Sequence, residues 1–250
     1  MKLVLLHGWG FDGRIWDELR TELSLLGRES QRLDLPGYGG TANAACRHIE
    51  QLADFLLAHT PRGSAIIGWS LGAMTALAAA AKAPQHFTQL ILIGASASFV
   101  YRDGWADALE PALLDGFRTA LANDSNKLLT RFAALCNQGH QDHGDGQLTA
   151  RMLARRLANQ HDLPPSPMAL ADGLQALVDT DLRPLLPSVR QPTLLLHGEH
   201  DRLMPMAAAR QLAEHLPAAR LEILAGAAHA PFLSAPAQCA ALIHAFTQTA

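Results

Sequence analysis

Five residues, Gly68-Trp69-Ser70-Leu71-Gly72, separate an apolar run at 65–69 from an alanine-rich helical pattern at 71–81. A chain that passes from a strand straight into a helix must turn sharply there, and a serine at the apex presents its hydroxyl above the sheet. The flanking glycines let the backbone double back closely. The pentapeptide alone recurs by chance; the strand before it and the helix after it make it specific.

The junction belongs to a longer alternation. Short apolar runs at 2–6, 30–33, 65–69 and 89–94 alternate with helical spacing at 14–26, 49–57 and 71–81. Strands separated by helices of this length pair in parallel through right-handed crossovers. From Trp105 to Leu177 there are helical stretches and polar breaks, and no convincing strand. The alternation resumes with strands at 193–197 and 220–224 and helices at 207–216 and 237–246. The reading is an α/β core, residues 1–100 and 187–250, with a mostly parallel sheet flanked by helices and a helical cap inserted at 101–186.

A serine hydroxyl is a poor nucleophile until a base takes its proton. That base is expected in a loop beyond a late strand. Of the twelve histidines, His229 meets the condition, following the strand at 220–224 through Gly226-Ala227-Ala228. His244, the later candidate, falls inside a helical pattern. The base in turn needs a carboxylate to fix its tautomer. Asp201 follows the strand at 193–197, with Glu199 as its nearest rival. The other place for an acid, after Gly94, offers only Ala95-Ser96-Ala97-Ser98. The catalytic set is therefore read as Ser70, Asp201 and His229. Two amides should hold the developing oxyanion, that of Leu71 and, from His7-Gly8-Trp9-Gly10, that of Trp9. His7 is read as shaping this loop.

The segments LLHGWG (5–10), DLPGYG (34–39), GWSLG (68–72), LLDGFRTAL (113–121), RF (131–132), DTDLRPLL (179–186) and AAHAPFLSAP (227–236) carry a resemblance. The chain resembles the α/β-hydrolase family throughout, and within it the esterases that cleave the methyl ester of a pimeloyl chain held on acyl carrier protein in biotin synthesis. The resemblance implies an acyl-enzyme mechanism that releases methanol and needs neither cofactor nor metal. It also implies an acyl channel lined by the cap, matched here by Phe132, Ala133, Ala134, Leu135 and Cys136. Such hydrolases usually open with antiparallel strands before the HG loop. Here that loop begins at residue 7, so the expectation is either a sheet without those strands or a start that lies late.

Acyl carrier proteins are acidic, which makes the cap's charge informative. Between Lys127 and Arg156, five cations (Lys127, Arg131, Arg151, Arg155, Arg156) stand against Asp142 and Asp145, a local net charge of +3 in a chain of net charge −3. Lys127 and Arg131 are four apart, as are Arg151 and Arg155, so each pair shares a helix face. They are candidates to steer and grip an acidic partner; a merely solvated helix face is the alternative.

The weak overall charge argues against nucleic acid as a partner. No apolar run approaches the roughly 20 residues of a membrane span, and Leu3 to Leu6 leave no room for a signal-peptide core. Cys46, Cys136 and Cys239 are sparse and unpaired in pattern, as in a reducing cytoplasm. A cytoplasmic monomer is expected. The loop His140-Gln141-Asp142-His143-Gly144-Asp145 is read as polar surface, without a metal. A general short-chain carboxylesterase, a carbon–carbon bond hydrolase and a non-catalytic ligand-binding protein of the same fold remain open alternatives.

Overall fold

Strands β1 (Leu3–Leu6), β3 (Ser64–Trp69) and β5 (Thr193–Gly198) are buried at every residue, and β4 (Phe87–Ile93) is buried at all but Thr88. Runs without a polar side are what a parallel sheet covered by helices on both faces requires. β2 (Ser30–Leu33) and β6 (Ala219–Leu224) are only partly buried and take the edges. The order is β2-β1-β3-β4-β5-β6, and all five pairings are parallel. The computed structural model describes residues 1–139 and 163–248.

Helix α2 (Ile49–His59) packs beside α3 (Leu71–Lys82), and α1 (Asp17–Leu25) beside the last helix, α8 (Pro236–Gln248). Residues 71–80 of α3 are all buried; Gly72 and the alanines at 73, 76 and 78–80 let the helix lie close to the sheet. Helix α7 (Met206–His215) connects β5 to β6. The helical spacing at 14–26 resolves into a 3-10 turn, Gly13–Trp16, followed by α1, with Asp12 capping the turn. β4 begins two residues before the expected run.

Between β4 and β5 lie α4 (Pro111–Asn123), α5 (Ser125–Asn137) and α6 (Pro167–Asp179). Proline in the first turn starts α4 and α6, where its missing N–H costs nothing. The Asp124 carboxylate caps α5 by accepting from the Lys127 amide at 3.0 Å. Among the described residues, pairing in this region is limited to isolated bridges such as Val100 with Leu109. The Leu182 amide donates to the Ala97 carbonyl at 2.8 Å. Arg102 donates to the carbonyls of Val178 and Asp179 at 2.9 and 3.1 Å, closing the carboxyl end of α6 onto the loop after β4. No described helix is long and apolar enough to cross a membrane.

Candidate active site

Ser70 is the one non-glycine residue with positive φ among those described, at φ 53° and ψ −115°. Such a backbone costs about 1–3 kcal/mol and persists where its surroundings over-determine it. Here the Ser70 amide donates to the Ile93 carbonyl, and its own carbonyl accepts from Met74, both at 3.0 Å. A Cβ on Gly68 would meet the Gly72 carbonyl at 2.6 Å, and one on Gly72 would strike the carbonyl oxygens of Leu6 and His7. The two glycines thus let α3 start directly against the end of β1. Leu71 opens that helix, so its amide lacks a partner within it and lies at the positive end of the dipole.

The loop after β1 covers the serine. A Cβ on Gly8 would lie 3.3 Å from Ser70 Cβ. His7 is fully buried; its Nδ1–H donates to Gly8 O at 2.8 Å, and its Nε2 accepts from the Leu35 amide at 3.0 Å. Burial, opposed by Asp34, Gly8 and Asp12, keeps its pKa below the ordinary value. Both nitrogens being committed to backbone, His7 ties this loop to the one after β2. Trp9 is buried, and its indole N–H donates to Leu170 O in α6 at 2.8 Å.

His229 and Asp201 meet above the end of β5. His229 Nδ1 donates to Asp201 Oδ2 at 2.7 Å, while Asp201 Oδ1 accepts from the amides of Leu203 and Met204, each at 2.9 Å. Burial pushes the Asp201 carboxyl up but is outweighed by His229, His197 and the Met204 amide, so its pKa lies below the usual carboxylate value. With Nδ1 protonated, a neutral His229 keeps a lone pair on Nε2. Ser70 Oγ and His229 Nε2 are both buried, and neither has a hydrogen-bond partner among the described residues. Glu199 is otherwise engaged: its carboxylate accepts from the Gly226 amide at 3.0 Å.

Backbone contacts hold the histidine loop. The His229 amide donates to Cys136 O, at the end of α5, at 3.1 Å, and the His229 carbonyl accepts from Trp69 Nε1 at 2.9 Å. A Cβ on Gly94 would come 2.9 Å from His229 Cε1, and one on Gly198 would overlap the Ala228 carbonyl. These glycines, and His197, went unread in the sequence. Glycine immediately after β4 and at the last position of β5 is the signal that marks them, since the carboxyl ends of parallel strands are where sites form.

In α5, Phe132, Ala133 and Cys136 are buried, Leu135 is half-buried and Ala134 is exposed. At 100° per residue five consecutive residues cannot share one face. The Phe132 ring meets Trp9 edge-on at 4.9 Å and lies 6.2 Å from Phe117. Lys127 and Arg131 are exposed on the same helix. Arg151 and Arg155, with the 140–145 loop, lie outside the described residues.

Across residues 2–236 the chain matches the family of the α/β hydrolase fold. It is 41% identical over 248 residues to a pimeloyl-[acyl-carrier protein] methyl ester esterase of Aromatoleum aromaticum, covering 96% of each chain. To a protein of the same name from Nitrosomonas europaea it is 38% identical over 237 residues, 94% of this chain and 91% of the other. Among solved structures, an esterase from Exiguobacterium antarcticum shares the fold at a TM-score of 0.84 and 22% identity, over 99% of this chain and 92% of that one.

Proposed function

The chain belongs to the α/β-hydrolase fold family, and from that premise we propose that it is a serine carboxylic ester hydrolase that cleaves the methyl ester of pimeloyl-[acyl-carrier protein], as a cytoplasmic monomer in biotin synthesis. The observation that carries the substrate is the identity to esterases of that name, which spans nearly the full length of both partners.

Ser70 attacks the ester carbonyl while His229 Nε2 takes its proton. Asp201 holds the Nδ1–H tautomer and stabilises the imidazolium. The amides of Leu71 and Trp9 receive the oxyanion, Leu71 with the help of the α3 dipole. Collapse breaks the carbon–methoxy bond, and His229 returns its proton to the leaving oxygen, releasing methanol. Water, deprotonated by His229, then cleaves the acyl-serine to a free carboxylate and restores the hydroxyl. The buried aromatic face of Phe132 borders the acyl path. The exposed Lys127 and Arg131 receive the acidic carrier, a role the sequence pattern also gives to Arg151 and Arg155, outside the described residues.

Purified protein is incubated with pimeloyl-[acyl-carrier protein] methyl ester, and methanol is measured beside a Ser70→Ala control and a short chromogenic ester. Release that is lost in the control is the expected result. Turnover of the chromogenic ester alone would leave a general carboxylesterase and reject the carrier-linked substrate.

A further inference from the structure

The carboxylate of Asp201 has a second histidine against it. His197, the penultimate residue of β5, is 1% exposed. Its Nε2 lies 2.7 Å from the Met204 carbonyl, which only accepts, so Nε2 carries the proton and donates. The same nitrogen is 3.5 Å from Asp201 Oδ2, the oxygen that receives His229 Nδ1. The peptide groups around Met204 are therefore held from two sides: the Met204 amide donates to Asp201 Oδ1, and the Met204 carbonyl accepts from His197. Residues 201–204 form a small closed turn whose interior is one carboxylate and whose outer clasp is one imidazole. Aliphatic side chains fill the preceding positions of β5, Leu194, Leu195 and Leu196. A polar ring at the next buried position loses hydration, a loss its hydrogen bond must offset.

We propose that His197 is a positioning residue: by clasping the Met204 carbonyl it fixes the turn that aims the Asp201 carboxylate at His229. The inference rests on Asp201 and His229 acting as proposed above. Its effect runs through orientation, so it falls on the chemical step and not on substrate binding; a loss of alignment near 1 Å costs catalysis tenfold to a hundredfold.

The test uses the full chain and a short chromogenic ester. His197→Phe keeps the ring volume and removes the donor; its kcat is expected to fall about tenfold or more, with KM within twofold. His197→Gln puts an amide N–H near the Nε2 position and is expected to recover at least half of kcat. His197→Asn, equally polar but with its donor out of reach, is expected to stay low, and it stands in if His197→Phe does not fold. The decisive measurement is the pair with Asp201→Asn: if His197 acts through the carboxylate, adding His197→Phe or His197→Asn to Asp201→Asn lowers kcat no further. Unchanged kcat in both His197→Phe and His197→Asn, or losses that multiply with that of Asp201→Asn, would overturn the positioning role. Full activity in Asp201→Asn alone would instead reject the underlying assignment of the acid.

Discussion

The carboxyl edge of the sheet and the helical insertion above it are built on different principles. At the edge, position is set by backbone: Gly68, Gly72 and Gly198 stand where a Cβ would collide with a carbonyl oxygen, and Ser70 is held strained between Ile93 and Met74. In the insertion, position is set by side chains. Phe117 and Phe132 pack ring against ring and both meet Trp9 of the edge, and Arg102 gathers the carbonyls at the end of α6. Close backbone packing tolerates almost no change of volume, whereas ring packing tolerates swaps that conserve it. The edge is thus suited to chemistry common to many esters, and the insertion to selecting among them. The two regions touch at Trp9, which donates to Leu170 and meets Phe132, and at His229, whose amide donates to Cys136 of α5.

The sharpest way to break this contrast is to strike the edge and look for substrate dependence. Asp201→Asn should lower kcat by about 10⁴-fold, equally on the short ester and on the carrier-linked methyl ester, because it spoils the imidazole tautomer whatever the acyl group. A loss confined to one substrate would blur the division.

Gly198→Val forces branched atoms into the carbonyls of Ala227 and Ala228. We expect a destabilisation of about 3 kcal/mol or more in urea unfolding, together with loss of both activities. In the insertion, Phe132→Ala should destabilise by about 3 kcal/mol, while its kinetic penalty falls mainly on the longer acyl chain. Equal penalties on both esters would remove the channel role of Phe132.

Acid should weaken the edge through its histidines. Burial lowers the pKa of His7 and His197 from 6.5, so below that pH the unfolded chain takes up protons that the folded chain refuses. Stability is therefore intact above about pH 6.5 and declines as the pH falls toward the folded values, with a ceiling of about 1.4 kcal/mol per pH unit for each histidine. Urea midpoints at pH 7.5 and 5.5 measure the slope, which His197→Gln should flatten. The Asp201 carboxyl, lowered from 3.8, adds its own loss only as the pH falls below about 3.8.

The smallest effect concerns the outer face of α5. Reversing Lys127 and Arg131 to Glu should reduce kcat/KM on the carrier-linked ester several-fold at low salt, leave the short ester unchanged, and lose its effect as salt is raised. A salt-independent loss would point to folding and not to docking.

Much of this architecture was legible in the chain. Short apolar runs alternating with helical spacing announced a parallel sheet, and the elbow around Ser70 announced its own geometry. Both are local: periodicity and steric demand act between residues adjacent in sequence. Asp201 and His229 were found by their places after late strands, in the chain order expected of this fold. What the sequence could not reveal are relations between segments far apart. That Gly94 makes room for His229, that Cys136 accepts from the His229 amide, and that Trp9 is anchored on Leu170 depend on which loops the sheet order brings together. The channel run from Phe132 to Cys136 was read as one stretch; the helix turns Ala134 outward because a helical face skips residues. His197 was hidden for a related reason. A lone histidine in an apolar strand carries no signal until the fold closes the turn at Met204 around it, and hydrogen bonding, unlike periodicity, is decided by where the partner ends up.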